Sequence, residues 1–461
     1  MTEMMPGNSN PAQNRRIDLS LTKPILALTL PVAASGHLEN LVGIADIFMV
    51  GKLGPAAISA VGIANQISMV FGIMMVAVTT GTLAIVAQAI GAGNKLGASA
   101  AAKQSFSLVV LLSVGLGLIG LAGTTLFLES LSVKPEVVHL AVPYLRVYFG
   151  GILLSMLNYS VAVCLQAAGD TRTPMYLSML INAIKLFASY LLIFGIWGLP
   201  KMGVTGAALG SVVGLLFGVT AGFWALFSGR FGLTLLPGTS FKLELALASR
   251  LLKVGIPSAL QGLFRNGSSV IFVKFVALTS HSTTAVAAYT IGNQMERILR
   301  RSSLAFGTAA TALCGHSLGA KRTVEADQRG WTTMFVGTLA IVGLGTIIYN
   351  AAQPIMALFT NAEDVIHIGI YYLYAIAIAE PFMCAAIISG GALRGAGDTM
   401  PPLYYTIVSQ WLIRLPTAYL LAFTLGYDIL GVWVALVIFS ALQGVLTVRK
   451  FAAGDWKRRT I

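Results

Sequence analysis

The sequence predicts an all-α integral membrane protein with twelve transmembrane helices in two six-helix lobes, related by a pseudo-twofold along the membrane normal. Three observations carry this. Of 461 residues, 56% are hydrophobic and only 10% charged, against about 25% charged in soluble domains, and the mean hydropathy is +0.81. About twelve apolar runs are each long enough for a bilayer core of about 30 Å. The two halves of the chain also repeat one another after a shift of 228 positions, the separation of Leu165 from Leu393.

The runs are interrupted by Gly, Pro or charge. They fall near 25–50, 57–90, 104–128, 137–166, 174–197, 204–228, 249–278, 283–314, 331–357, 364–393, 400–424 and 430–449. The stretch through Arg16 is polar, with Pro6, Gly7, Asn8 and Pro11, and lacks the apolar h-region of a signal peptide. Basic residues gather on one side of the predicted topology. Arg15, Arg16, Lys95, Lys103, Arg172, Arg230, Lys321, Arg322, Arg394, Lys457, Arg458 and Arg459 are among those on that side, against Lys52, Lys134 and Lys201 in the opposite loops. The positive-inside rule then sets both termini in the cytoplasm, in a multi-pass protein of the cytoplasmic (inner) membrane. It also accounts for the net charge of +13, which in a soluble protein would suggest nucleic acid. The lipid bilayer is the expected partner, with no nucleic acid and a monomeric chain. Cys164, Cys314 and Cys384 sit in apolar stretches, are odd in number and read as small hydrophobes.

The repeat is specific in detail. Leu165-Gln166-Ala167-Ala168-Gly169-Asp170-Thr171 matches Leu393-Arg394-Gly395-Ala396-Gly397-Asp398-Thr399, and the same shift superposes Asn65-Gln66 on Asn293-Gln294 and Gly91-Ala92 on Gly319-Ala320. An even number of helices per half makes the repeats parallel. The expected organisation is a cytoplasmic segment 1–23, a first lobe 24–228, a cytoplasmic linker 229–247, a second lobe 248–449 and a basic cytoplasmic tail 450–461. Gly169-Asp170 and Gly397-Asp398 read as hinge turns, where Gly supplies a positive φ and Asp a helix N-cap ahead of proline. No Walker A sequence, zinc-ligand spacing or nucleophile elbow occurs. Enzymatic chemistry, ATP-driven pumping and cofactors have no support in the sequence.

Pro31, then Ala45-Asp46-Ile47-Phe48-Met49-Val50-Gly51-Lys52-Leu53-Gly54, Ala60-Val61-Gly62, the Gly91-Ala92-Gly93-Asn94 turn and the two Gly-Asp-Thr turns together resemble the multidrug and toxic compound extrusion (MATE) family. The resemblance runs over nearly the whole chain. It implies two lobes forming a V around a central cavity, and export of amphiphilic, often cationic, organic compounds in exchange for inward H⁺ or Na⁺. The family's cation-coupling aspartate maps onto Asp46, fifteen residues after the kinking Pro31, and its fourth-helix asparagine onto Asn158. Na⁺ as well as H⁺ is compatible with Asp46. Two departures stand out. Where some members carry a fifth-helix aspartate, this chain has no acid between Asp170 and Glu244, and Asn182 is retained or Lys185 and Ser189 fall in its place. Where another branch carries a glutamate on the seventh helix, this chain has Arg265.

Ionisable side chains inside spans are costly and are functional candidates by default. The acids are Glu39, Asp46, Glu296 and Glu380. Glu39 lies two turns before Asp46 on nearly the same helix face. It either lines the lobe interior with Asp46 or, by superposing Pro31 on Pro257, pairs with Arg265. Glu296 precedes Arg300 by four residues, the favourable spacing for a salt bridge, and is equally a cation-site candidate. Glu380 precedes Pro381, where a freed carbonyl opens the helix. The reading assigns ion coupling to Asp46, Glu39, Asn158 and Asn182, and a substrate cavity to Glu296, Arg300, Glu380, Arg265 and Lys185. A flippase for a lipid-linked anionic substrate is the alternative, because Arg265, Arg297, Arg300 and Arg301 suit phosphate.

Overall fold

The computed structural model describes residues 17–130 and 134–459, and the regular structure among them is entirely helical. The polar stretch 1–16, with Arg15 and Arg16, lies outside the described residues. The first lobe is built from α1 (Thr22–Gly51), α2 (Pro55–Gly91), α3 (Lys95–Ser130), a bent pair α4 (Pro135–Gly150) and α5 (Ile152–Ala167), α6 (Arg172–Phe194) and α7 (Val204–Phe227). The second is built from α8 (Leu245–Leu278), α9 (Ser282–Gly319), α10 (Thr323–Asn350) with the short α11 (Ala352–Phe359), α12 (Glu363–Gly395), a run holding α13 (Met400–Ile407) and α14 (Leu415–Tyr419), and α15 (Asp428–Ala453). Eight of these helices are long and apolar enough to cross a membrane, nine when the bent pair counts as one span. Among the rest, α8 and α9 hold Arg265, Lys274, Glu296, Arg297, Arg300 and Arg301. The α13–α14 run is interrupted by π-helical turns at Val408–Arg414 and Leu420–Thr424.

The repeat governs element ends, and its deviations have local causes. α2 ends at Gly91 and α9 at Gly319, positions that the repeat superposes. α4 and α5 meet at a 48° bend where Gly150 and Gly151 adjoin, and adjacent glycines weaken a helix. The equivalent positions in α12 are Ile378 and Ala379, and α12 runs unbroken.

Both lobes are closest at one face, which carries the start of α1, the linker and the end of α15. There the lobes exchange ends. Ile25 of α1 is buried in the core of the second lobe, beside residues such as Phe272, Tyr372 and Trp433, while Ala248 and Leu251 of α8 are buried in the core of the first. The linker is stapled to the first lobe: Lys103 Nζ donates to the carbonyls of Leu236 and Thr239, each at 2.8 Å, and Leu233 and Leu235 are buried in that lobe's core. The tail folds back as a turn at Asp455–Arg458, with Trp456 stacked on Phe451 at 5.0 Å. Its basic residues pair with the second lobe, Lys457 with Asp327 at 3.1 Å and Arg459 with Asp398 at 3.1 Å.

Candidate functional site

Asp46 on α1 meets Lys185 on α6, with Lys185 Nζ 2.5 Å from Asp46 Oδ2. Its other carboxylate oxygen, Oδ1, is buried without a hydrogen-bond partner among the described residues. Lys185, expected in the substrate cavity, is thus drawn into the first lobe by the acid that the sequence reading assigned to ion coupling. Asn182 lies three residues earlier on α6, is buried, and donates Nδ2–H to Ser178 O at 2.8 Å. Asn158 projects from α5 toward Gly218 of α7, its Oδ1 3.7 Å from where a Cβ on that glycine would stand. The two asparagines flank this lobe interior, and neither makes a hydrogen bond to Asp46 among the described residues.

Glu39 is not with Asp46 or Arg265. It pairs with Arg301 of α9 at 3.2 Å, and the same Arg301 nitrogen donates to Gly36 O at 2.9 Å. His37 contacts Ser302 Oγ at 3.2 Å. These contacts tie α1 to the second lobe. The expected Glu39–Arg265 pair is absent from this state because residues related by a pseudo-twofold touch only near the axis, and α1 lays this face on α9 instead.

In the second lobe Glu296 is held on two sides, by the guanidinium of Arg300 one turn on and by Tyr372 Oη of α12 at 2.5 Å. Arg300 also lies 3.8 Å from Glu380, which is 3% exposed and keeps Oε2 without a hydrogen-bond partner. Arg300 therefore stands in front of both acids. It faces a cavity of about 320 Å³ between α2 of the first lobe and α8, α9 and α12 of the second. Arg265 and Arg394 line the same cavity, whereas Glu296, Glu380 and Lys185 do not. Arg394 was expected at the cytoplasmic loop; it sits in the last turn of α12, and because helical side chains tilt toward the N-terminus its long side chain reaches back along the helix into the cavity. Arg414 lies behind this wall, its guanidinium 3.8 Å from the Phe272 ring and 4.7 Å from Phe439. Of the aromatics, Trp411 and Phe264 pack edge to face at 6.1 Å and tie α8 to the π-helical turn.

Below the cavity, toward the face that carries the start of α1 and the end of α15, the lobes are latched by a symmetric pair of contacts that sequence reading missed. Gln88 of α2 donates Nε2–H to Gly395 O at 2.9 Å, and His316 of α9 places Nε2 2.7 Å from Ala167 O. A carbonyl only accepts, so His316 Nε2 carries the proton. The repeat shift maps Gln88 onto His316 and Ala167 onto Gly395, and that mapping was the signal available in the sequence. Glycine permits the approach: a Cβ on Gly91 would fall 2.0 Å from His316 O, and one on Gly319 2.0 Å from Gln88 O.

The hinge turns share their backbone and differ in their acids. Gly169 and Gly397 both have positive φ, 84° and 77°. Asp170 accepts from Thr173 N at 3.0 Å and from Thr173 Oγ1 at 2.6 Å at the start of α6. The residue equivalent to Thr173 is Pro401, which has no N–H to give. Asp398 is buried and turns to Arg459 instead. Burial pushes its carboxyl above the ordinary aspartate range, an effect that Arg459 offsets only in part. Pro31 lies buried inside α1, and its carbonyl accepts from Ser35 Oγ at 2.9 Å.

The MatE family pattern matches residues 31–191 and again 257–420, once in each lobe. A probable multidrug resistance protein NorM of Thermotoga maritima is 28% identical over 96% of this chain and 94% of its own. An uncharacterized transporter YisQ of Bacillus subtilis is 25% identical over 94% and 95%. Among solved structures, an outward-facing conformation of a multidrug resistance MATE family transporter of the MOP superfamily superposes with a TM-score of 0.86 at 22% identity, over 97% of this chain and 99% of that one. A MOP superfamily transporter from Pyrococcus furiosus, described as having a binding pocket of reverse polarity, superposes with the same score and identity over 99% and 100%. The twelve-helix, two-lobed fold, the twofold match to the family pattern and these relatives together mean that the chain belongs to the MatE family of multi-pass membrane transporters and is not an enzyme.

Proposed function

We propose that this transporter is a secondary active antiporter that exports amphiphilic small organic compounds, drugs and toxic metabolites among them, in exchange for inward cation. The observation that carries this is the Asp46–Lys185 pair, an ionisable carboxylate inside the first lobe with one oxygen on an ammonium and the other unsatisfied. Protonation of Asp46 neutralises the carboxylate, releases Lys185 and loosens the tie between α1 and α6. An ammonium 2.5 Å from Oδ2 already fills the ground a sodium ion would take, which favours H⁺ over Na⁺. No other cofactor is invoked.

Rocking of the two lobes provides alternating access, with 24–228 and 248–449 as the moving bodies and the 229–247 linker travelling with the first. The basic residues on the latched face favour a cytoplasmic position for it and for both termini, in the cytoplasmic membrane. The latched state then opens its cavity to the outside. The working unit in this reading is a single chain, whose two lobes are sufficient for the rocking motion. The cationic substrate class finds no support in the cavity, because Glu296 and Glu380 stand behind Arg300. The multidrug names of the relatives do not favour the flippase alternative. The test is reconstitution in liposomes with a trapped pH indicator. Addition of an exported compound should release protons in proportion to its flux, and compound flux without counterflow of any cation would sink the antiport reading.

A further inference from the structure

The cavity between the lobes has a charge that the transport mechanism leaves unexplained. Arg265 and Arg394 line it and make no ion pair among the described residues, and Arg394 Nε is buried without a hydrogen-bond partner. The third arginine, Arg300, is matched by Glu296 and Glu380 behind it. A guanidinium in a membrane interior without a counter-charge is costly, and a transporter retains it where a ligand supplies that charge.

From this geometry we infer that the cavity binds compounds carrying an anionic group, a carboxylate, sulfonate or phosphate, on an apolar body. The anionic group sits between Arg265 and Arg394, whose planar forks match such oxyanions bidentately. The amides of Asn266 and Gln443 line the same wall and add donors. Gln261 lines the wall too, its Nε2 donating to Pro402 O at 3.3 Å and to Thr406 Oγ1 at 2.9 Å, so that it ties α8 to α13. The apolar body lies against Met69, Ile73 and Val76 of α2 and Leu304 and Met383 opposite. The first lobe therefore contributes mostly apolar contact and the second lobe the charge, so that a bound anion is recognised from one side and covered from the other. The inference deepens the export reading and rests on it for its biological sense.

The test uses the full-length protein in phosphatidylcholine nanodiscs, titrated calorimetrically with 1-naphthylacetate and with (1-naphthylmethyl)trimethylammonium, which share an aromatic body and differ in charge. Naphthylacetate should bind about tenfold or more tightly than the ammonium compound. Arg265→Gln and Arg394→Gln should each lower its affinity by about the same factor while the melting temperature holds or rises, because each removes an unpaired charge. Arg265→Lys, which keeps the charge and loses the fork, should fall between. Tighter binding of the ammonium compound, or unchanged naphthylacetate affinity in the double Gln variant, would overturn the inference. Replacing part of the phosphatidylcholine with phosphatidylglycerol separates the sources: competition with naphthylacetate identifies a lipid headgroup as the carrier of the anionic group, and its absence identifies a free solute. Binding is read here without any ion gradient. Intact binding with failed coupled export would count against the antiport reading and leave the anion site standing.

Discussion

Lys185 Nζ stands 2.5 Å from Asp46 Oδ2, so a built-in ammonium occupies the carboxylate that the family resemblance marks for the driving cation. Both side chains are about a fifth exposed, between the regime of surface pairs, worth up to about 1 kcal/mol, and that of buried pairs, where losing one partner costs about 3–5 kcal/mol. Asp46→Asn should therefore destabilise by about 1–3 kcal/mol and abolish gradient-driven export. Asp46→Asn with Lys185→Met should regain stability by thermal unfolding in nanodiscs and still not transport. Export retained in either variant would remove the pair from the coupling mechanism.

The reciprocal latch makes a prediction about conformational population. Each of its hydrogen bonds contributes about 0.5–1.5 kcal/mol, so Gln88→Ala or His316→Ala should shift the balance toward the state open at the terminal face by about twofold to tenfold. Gly319→Ala should do so more strongly, because its methyl would meet the Gln88 carbonyl at 2.0 Å. Spin-label distances between the turns at 92–94 and 396–399 read the opening. Unchanged distance distributions in Gly319→Ala would mean that this approach does not hold the face closed.

Glu296→Gln and Glu380→Gln act on Arg300 rather than on the driving ion. Each removes one carboxylate that holds the guanidinium back, so Arg300 should be freer to face the cavity and the spectrum of exported compounds should change. Proton release on substrate addition should persist. Loss of coupling for every compound in both variants would show that the second lobe also carries the driving ion.

Arg459 pairs with the buried Asp398 across the hinge turn. Because Arg459 lowers the carboxyl's proton affinity, the stability it supplies is present where Asp398 is ionised and is lost as pH falls through the carboxylate range. Arg459 is 55% exposed, so solvent screening limits the effect to about 0.5–1 kcal/mol. Arg459→Gln should melt lower than the parent at pH 7.5 and equally at acid pH. A deficit independent of pH would place the role of Arg459 in packing rather than in charge.

The amino-acid sequence by itself determined the membrane class, the order of the spans, the parallel repeat and the family. These are linear properties: hydropathy follows the chain, and the repeat aligns position with position. The ends of α2 and α9 at Gly91 and Gly319 and the two positive-φ turns at Gly169 and Gly397 were legible for the same reason. The tertiary structure alone decided which charges meet. Glu39 pairs with Arg301 rather than Arg265, Lys185 leaves the cavity for Asp46, and Arg394 leaves the loop for the cavity. Such choices depend on the rotation of each helix about its axis, on where helices from the two lobes cross, and on how far a long side chain bends back along its own helix. Even the twin Gly-Asp-Thr turns diverge, because Pro401 denies Asp398 the amide that Thr173 gives Asp170 and a tail distant in sequence supplies the counter-charge.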